Sequence, residues 1–338
     1  MRPLLPFACL MLILLLSACG GQNNATPDND PSPPQQQNTG NESEAAENNQ
    51  AAGTSDMRTV THMMGETEVP AEIGKIVVLS AAYADHLLTI GEKPYGINVE
   101  ARYGGDYPAY LADQLAGVAL VGSAEEPNLE AIAELDPDVI LIESRTAETT
   151  YDQLGKIAPT IVLGTEWLAY EDDPASWTFD LLKIAQLYDK EDLAKERIAE
   201  LEQKVAEAKQ TVEALEDKKL AYLRVREKTV QIYAAAGHPM NTLLYHDLGF
   251  EPSALTPEDQ RADLSLEVVP DLDAGLIFLE VDPNGLDNLQ SIRESSLWSI
   301  VPAVATDQVH ETDSFWLFKG WGAIGRAQIV EEILQSLS

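Results

Sequence analysis

The chain has 338 residues, 56 of them acidic against 22 basic, for a formal charge of −34. Removing residues 1–56, which hold six acids and one arginine, leaves −29 on the rest. So acidic a chain argues against nucleic acid as a partner and against direct electrostatic adhesion to anionic lipid.

Met1-Arg2 precede an apolar run from Leu4 to Leu16 that ends in Ser17-Ala18-Cys19. A charged start, a short apolar stretch and small residues at the junction make an export signal, expected over residues 1–18. The apolar stretch falls short of the roughly 20 residues a membrane span needs, and no later segment approaches that length. Ser17 and Ala18 before Cys19 resemble the lipobox of bacterial lipoproteins, which would make Cys19 the lipidated first residue; ordinary secretion with cleavage near Ala18 is the alternative. The other cysteine, Cys9, would leave with the signal, so Cys19 has no disulfide partner. Residues 19–56 are Asn, Gln, Pro, Ser, Glu and Ala with few large apolar side chains, the composition of a tether that buries too little surface to order itself.

From Met57 onward the chain is long enough for two medium lobes. Strands are expected at 75–80, 95–99 and 160–163, then at 220–226 and 229–234, alternating with helices in the manner of a mostly parallel sheet in each lobe. A duplicated segment supports two halves. Residues 129–142 and 266–279 align without a gap in Leu-Glu, in a later Leu-Asp and in a closing apolar run. Each copy reads as a short amphipathic helix, a turn and a strand buried on both faces, although Val268-Val269-Pro270 interrupts the second helix. Between the halves, Ala194, Ile198, Leu201, Val205, Ala208, Val212 and Leu215 are spaced four and three apart, predicting one apolar stripe on a helix of about 25 residues, roughly 37 Å long. That helix reads as a strut along both lobes, with pairing between molecules as the alternative. The expected fold is therefore α/β: two Rossmann-like lobes, residues 57–188 and 217–338, joined by a long helix at 189–216, with a ligand cleft between them.

Two such lobes on one long helix resemble the periplasmic-binding-protein-like family that serves siderophore, haem and cobalamin importers. The resemblance covers nearly all of residues 70–338. It is carried by Val77-Val78-Leu79-Ser80 running into Asp85-His86-Leu87-Leu88, by Gly91 to Gly96, by Pro127-Asn128-Leu129-Glu130 and by Leu135-Asp136-Pro137-Asp138. Ile157-Ala158-Pro159-Thr160, Leu223-Arg224-Val225-Arg226, Leu248-Gly249-Phe250 and Gly320 to Gly325 continue the order. Lys319-Gly320-Trp321-Gly322 departs from the small, Gly- and Pro-rich segment that relatives often carry there. The resemblance implies an extracytoplasmic lipoprotein of an ABC importer, held at the bacterial cell membrane only through the lipid on Cys19, a monomer that captures a ferric siderophore. It also implies that Glu130 and Glu267, equivalent in the two repeats, dock into arginines of the permease dimer. A carboxylate near a helix start also has a simpler reading, attraction to the helix dipole.

Ligand capture is expected where loops follow the strands, between the lobes. Side chains suited to a siderophore there are aromatic rings for its organic shell and arginines for its metal-bound oxygens: Tyr83, Arg102, Tyr103, Arg145, Trp167, Arg224, Arg226, Trp316 and Trp321. Arg224 and Arg226 lie two apart in a strand and share a face, which is either the cleft or a solvated surface with acidic neighbours. Trp177 and Trp298 read as core. The acidity disfavours a highly anionic ligand such as a ferric triscatecholate, at about three negative charges, and favours a ferric hydroxamate or mixed carboxylate-hydroxamate complex.

Haem, with Tyr83, Tyr245, His246 or His86 as axial ligand, and cobalamin are the alternatives within the family. The five histidines form no His-x-x-His pair and no His-rich loop, so no directly held metal and no cofactor are expected. An anchored extracellular enzyme is the alternative from another class. Against it, the chain has no Gly-x-Ser-x-Gly, no His-Glu-x-x-His, no Gly-rich phosphate loop and no Cys-His pair outside the signal.

Overall fold

The computed structural model describes residues 56–100, 105–164 and 177–338. It opens with a hairpin of β1 (Met57–His62) and β2 (Gly65–Pro70), paired from Met57↔Pro70 to His62↔Gly65. Gly65 closes the turn at a φ of 118°, a value only glycine adopts without strain.

The first sheet is built from β3 (Ile76–Val78), β4 (Gly96–Ile97), β5 (Ala119–Leu120), β6 (Val139–Glu143) and β7 (Thr160–Leu163). Its order is β5-β4-β3-β6-β7 and every pairing is parallel. Parallel neighbours need crossovers, and these are supplied by α1 (Ala81–Thr89), α2 (Ala112–Leu115), α3 (Leu129–Leu135) and α4 (Ser144–Leu154). Helices on both faces explain the uninterrupted apolar strands: Ile76 to Val78 and Val139 to Ile142 are all buried. The hairpin covers the outer edge of this sheet, where Met63 N–H donates to the Val162 carbonyl (3.1 Å) and Val162 N–H donates to Nδ1 of His62 (3.1 Å). That arrangement satisfies backbone groups an edge strand would leave open.

After α5 (Thr178–Gln186) comes α6 (Glu191–Glu213), 23 residues long. Ala194, Leu201, Val205, Ala208 and Val212 are its buried face, and Ile198 and Leu215 pack against the same core, so the predicted stripe is the one the helix uses.

The second sheet comprises β8 (Lys219–Val225), β9 (Val230–Ile232), β10 (Glu251–Pro252), β11 (Ala262–Leu264), β12 (Leu276–Val281) and β13 (Val309–Thr312). Its order is β11-β9-β8-β12-β13, with β10 beside β8. β8, β10, β12 and β13 run parallel, β9 is antiparallel to β8, and β11 is in turn antiparallel to β9. The direction of β9 follows from chain length: Arg226 N–H already donates to the Thr229 carbonyl (2.9 Å), and so short a link permits only a hairpin. Around this sheet lie α7 (Pro239–Asn241), α8 (Leu286–Arg293), α9 (Pro302–Ala305), α10 (Trp316–Lys319) and α11 (Ala323–Ser336).

The sequence duplication has a structural counterpart. β6 lies between β3 and β7, and β12 lies between β8 and β13. Asp138 N–H donates to the Lys75 carbonyl (2.9 Å), and its repeat equivalent Gly275 donates to the Lys219 carbonyl (3.0 Å). The copies differ in their helices: α3 forms with Asn128 accepting from Ala131 N–H at its start, but the second copy has a turn and one 3₁₀ turn, Val269–Asp271. Pro270 has no N–H to continue a helical ladder.

One apolar core runs from Val69 through α6 to Ile333 and joins both sheets. α11 leaves the second sheet and packs on α6 and α1. Its N-terminus is capped by the fully buried Asp85 of α1, which accepts from Ile324 N–H (3.0 Å) and Gly325 N–H (2.9 Å). A Cβ at Gly322 would overlap that carboxyl, so glycine is required for the close approach. Among the described residues no helix is long and apolar enough to cross a membrane.

Burial pushes the Asp85 pKa up to about 6, against the opposing effect of its backbone hydrogen bonds. The folded chain therefore takes up this proton more readily than the unfolded chain, and the group's contribution to stability grows as pH falls through about 6. Asp85→Ala is expected to lower stability by about 1–2 kcal/mol, the usual loss of a helix cap, and by more at pH 5 than at pH 7.5. Scanning calorimetry at the two pH values checks this, and an unchanged Tm contradicts it.

Candidate functional site

In α/β sheets the carboxyl ends of parallel strands are where loops diverge and polar side chains collect. Here each sheet ends in a cluster of charged groups, placed by the duplicated strand. Glu143 closes β6, and its repeat equivalent Glu280 lies near the end of β12.

In the first cluster Arg145, at the start of α4, donates through Nη1 to Glu125 (2.6 Å) and through Nε to Glu143. Just beyond the end of β4, Asn98 donates from Nδ2 to Oε1 of Glu100 (2.5 Å). Burial raises the Glu100 pKa to about 7; Asn98 opposes the shift, and the fields of Glu143 and Glu125 add to it.

The second cluster is more deeply buried. Arg224 and Glu280 are register partners on β8 and β12. Arg224 grips Asp282 with two parallel bonds, Nε to Oδ1 (2.7 Å) and Nη2 to Oδ2 (3.1 Å), and its Nε lies 3.7 Å from Oε1 of Glu280. Glu280 is fully buried and accepts from the hydroxyls of Tyr222 (2.6 Å) and Tyr233 (3.4 Å). Burial raises its pKa to about 7, against the Tyr222 bond and the Arg224 charge. Arg226 is half exposed, with Nε 3.8 Å from Asp282.

Tyr110, from the first half of the chain, meets residues of the second. It lies in a 3₁₀ turn, Ala109–Leu111, with its ring 6.0 Å from that of Phe315 and 6.0 Å from the Lys319 ammonium. Burial pushes its phenol well above the ordinary range, helped by the fields of Asp85, Glu100 and Asp313. Lys319 is buried and paired with Glu332 (2.5 Å) and Asp313 (3.3 Å).

The residues anticipated for ligand contact are distributed unevenly. Arg145, Arg224 and Arg226 stand at the carboxyl ends, each within reach of a carboxylate. Tyr83 does not lie in a loop: α1 starts at Ala81, directly after Ser80, and turns Tyr83 fully into the apolar core beside His86. Trp316 is likewise core, the first residue of α10, packed on Tyr222 and Phe278 with its indole N–H donating to Glu332 (2.6 Å). Trp321 is half-buried against His238, with rings 4.8 Å apart. Trp177 and Trp298 are buried. Arg102, Tyr103, Trp167 and Cys19 lie outside the described residues. Glu130 is exposed in the first turn of α3, and Glu267 is exposed in the turn before Val269.

The carboxylates and phenols of the clusters, Glu100, Glu143, Glu280, Asp282, Tyr222 and Tyr233, were not anticipated. A signal for two of them was present: Glu280-Val281-Asp282 ends one apolar strand as Arg224-Val225-Arg226 ends another, with matching period-two spacing of opposite charge.

Comparison with known proteins agrees with the fold. The sequence profile of a family described as periplasmic binding protein matches residues 76–314. A probable siderophore-binding lipoprotein of Bacillus subtilis, YfiY, is 33% identical over 283 residues, covering 79% of this chain and 84% of the relative. The Fe(3+)-citrate-binding protein YfmC of the same organism is 27% identical over 276 residues, covering 80% and 83%. Among solved structures, Staphylococcus aureus SirA complexed with staphyloferrin B superposes with a TM-score of 0.67 at 25% identity, covering 83% of this chain and 98% of SirA.

The two cluster arginines on β8 should behave differently. Arg224→Ala leaves Asp282 and Glu280 buried without their cation and is expected to cost about 3–5 kcal/mol. Arg226→Ala removes a half-exposed partner and should cost less than about 1 kcal/mol. Urea denaturation of both variants checks the contrast; equal losses would contradict the geometry.

Proposed function

Because the chain belongs to the periplasmic binding protein family, we propose that it is the substrate-binding component of an ABC importer, capturing a ferric siderophore outside the cytoplasm. The observation that carries this reading is the pair of charged clusters at the carboxyl ends of β6 and β12, positioned by a duplicated strand in a chain related to siderophore-binding proteins. The ligand lies between these ends. Its preferred class is a ferric hydroxamate or mixed carboxylate-hydroxamate complex, in keeping with arginines that are already matched by carboxylates.

The protein holds and delivers the complex without covalent chemistry, as the relatives it matches are named as binding proteins. In our reading residues 57–188 and 217–338 form the two lobes, the lipid on Cys19 anchors the chain, and residues 19–56 tether it. Glu130 and Glu267 dock the loaded protein on the permease dimer. Both are exposed and equivalent in the repeats, although a helix carries only the first.

The tryptophans provide the readout. Titration of the purified protein with ferric hydroxamate, ferric catecholate, ferric citrate, haem and cobalamin should give saturable fluorescence quenching by one ferric siderophore at submicromolar concentration. A response to haem or cobalamin alone would move the assignment within the family, and silence throughout would overturn it. Replacing Glu130 and Glu267 together by alanine is expected to abolish uptake while leaving binding unchanged; weakened binding would contradict the docking role.

A further inference from the structure

We propose that the complex this protein selects is neutral or positively charged overall and presents N–H donors to the first cluster. This rests on the ferric-siderophore reading above and narrows it: mixed carboxylate-hydroxamate complexes, which are anionic, are excluded in favour of hydroxamates.

The first ground is that the cations nearest the strand ends are already matched. Among the described residues, Arg145, Arg224, Arg226 and Lys319 at the carboxyl ends are each held by carboxylates, whereas the exposed Arg261, whose field reaches Tyr233, makes no ion pair. Arg145 is divided between Glu125 and Glu143, and both inner edges of the Arg224 fork are occupied by Asp282. Arg226 shares the same Asp282, and Lys319 is held by Glu332 and Asp313. An anionic ligand drawing on Arg224 would have to displace a carboxylate and leave it buried without its cation, which is strongly unfavourable.

The second ground is the state of the acceptors. Glu100 is hydrogen-bonded by a neutral amide, and Glu280 by two phenols with Arg224 only at 3.7 Å. The cluster carboxylates Glu100, Glu125, Glu143, Glu280 and Asp282 outnumber the guanidiniums of Arg145, Arg224, Arg226 and Arg261. Asn98 is 2% exposed, and its Oδ1 accepts no hydrogen bond among the described residues. Glu100 fixes that orientation, because a flipped amide would set Oδ1 against the carboxylate. A buried acceptor without a donor beside an acidic group fits an ammonium or amide N–H from a ligand.

Both grounds act through charge, so ligands with identical iron coordination should be distinguished. The test uses the purified full-length chain and one linear ferric trishydroxamate in three forms: with a free terminal ammonium (+1), N-acetylated (0) and N-succinylated (−1). Ferric triscatecholate and ferric citrate complete the panel, and binding is measured by calorimetry at low and high salt. The cationic and neutral forms are expected to bind at least about tenfold more tightly than the succinylated form, with the gap shrinking in high salt. Glu100→Gln, which preserves the shape of the side chain, should narrow the gap without abolishing binding of the neutral form. Equal or tighter binding of the succinylated form overturns the inference. So does binding of only triscatecholate or citrate, while leaving siderophore capture intact. Silence across the panel overturns both.

Discussion

Everything at the candidate site follows from one constraint: the central strands of both sheets are covered on both faces, so charged side chains have room only at the strand ends. β6 is apolar from Val139 to Ile142 and then reaches Glu143; β12 is apolar from Leu276 to Leu279 and then reaches Glu280. The duplicated segment thus carries its polar residue to the same end of both sheets. Burial near those ends makes every unmatched charge costly, which is why Arg224 is met by a two-bond carboxylate and Arg145 by two acids. Glu100 and Glu280, with hydrogen-bonding partners that are mainly neutral, are the groups whose pKa rises to about 7.

The sheets are held together by helices rather than by a flexible strand hinge. α6 buries its stripe along the shared core, and α11 returns from the second sheet to lie against α6 and α1. Asp85 fixes the start of α11, and Lys204 of α6 pairs with Glu331 further along it. Arg326, buried over the ring of Trp177, is tied to Asp247 (2.8 Å) and to the Pro239 carbonyl (3.0 Å). A scaffold bound this way favours small adjustments around a ligand over wide domain closure.

Much of this was legible in the sequence where periodicity is strong. The stripe of α6, the bounds of β7 and the paired strands β6 and β12 follow from apolar spacing. The β1–β2 hairpin was not legible, because its strands are largely exposed and Val69 alone is fully buried. Position in a loop misled for Tyr83 and Trp316: helices begin almost at the strand ends there and direct both rings inward. The carboxylates of the clusters were hidden by abundance, since in a chain with 56 acids a buried one looks like its solvated neighbours. Only the pairing of β8 with β12 shows that Glu280 faces Arg224.

A ferric complex held between the carboxyl ends of β6 and β12 would be visible in an anomalous difference map at the iron edge, from crystals of the protein grown with a saturating ferric trishydroxamate. One iron peak is expected between the Glu143 and Glu280 ends of the two sheets. An iron peak elsewhere on the molecule, or no peak under saturating complex, would contradict that placement.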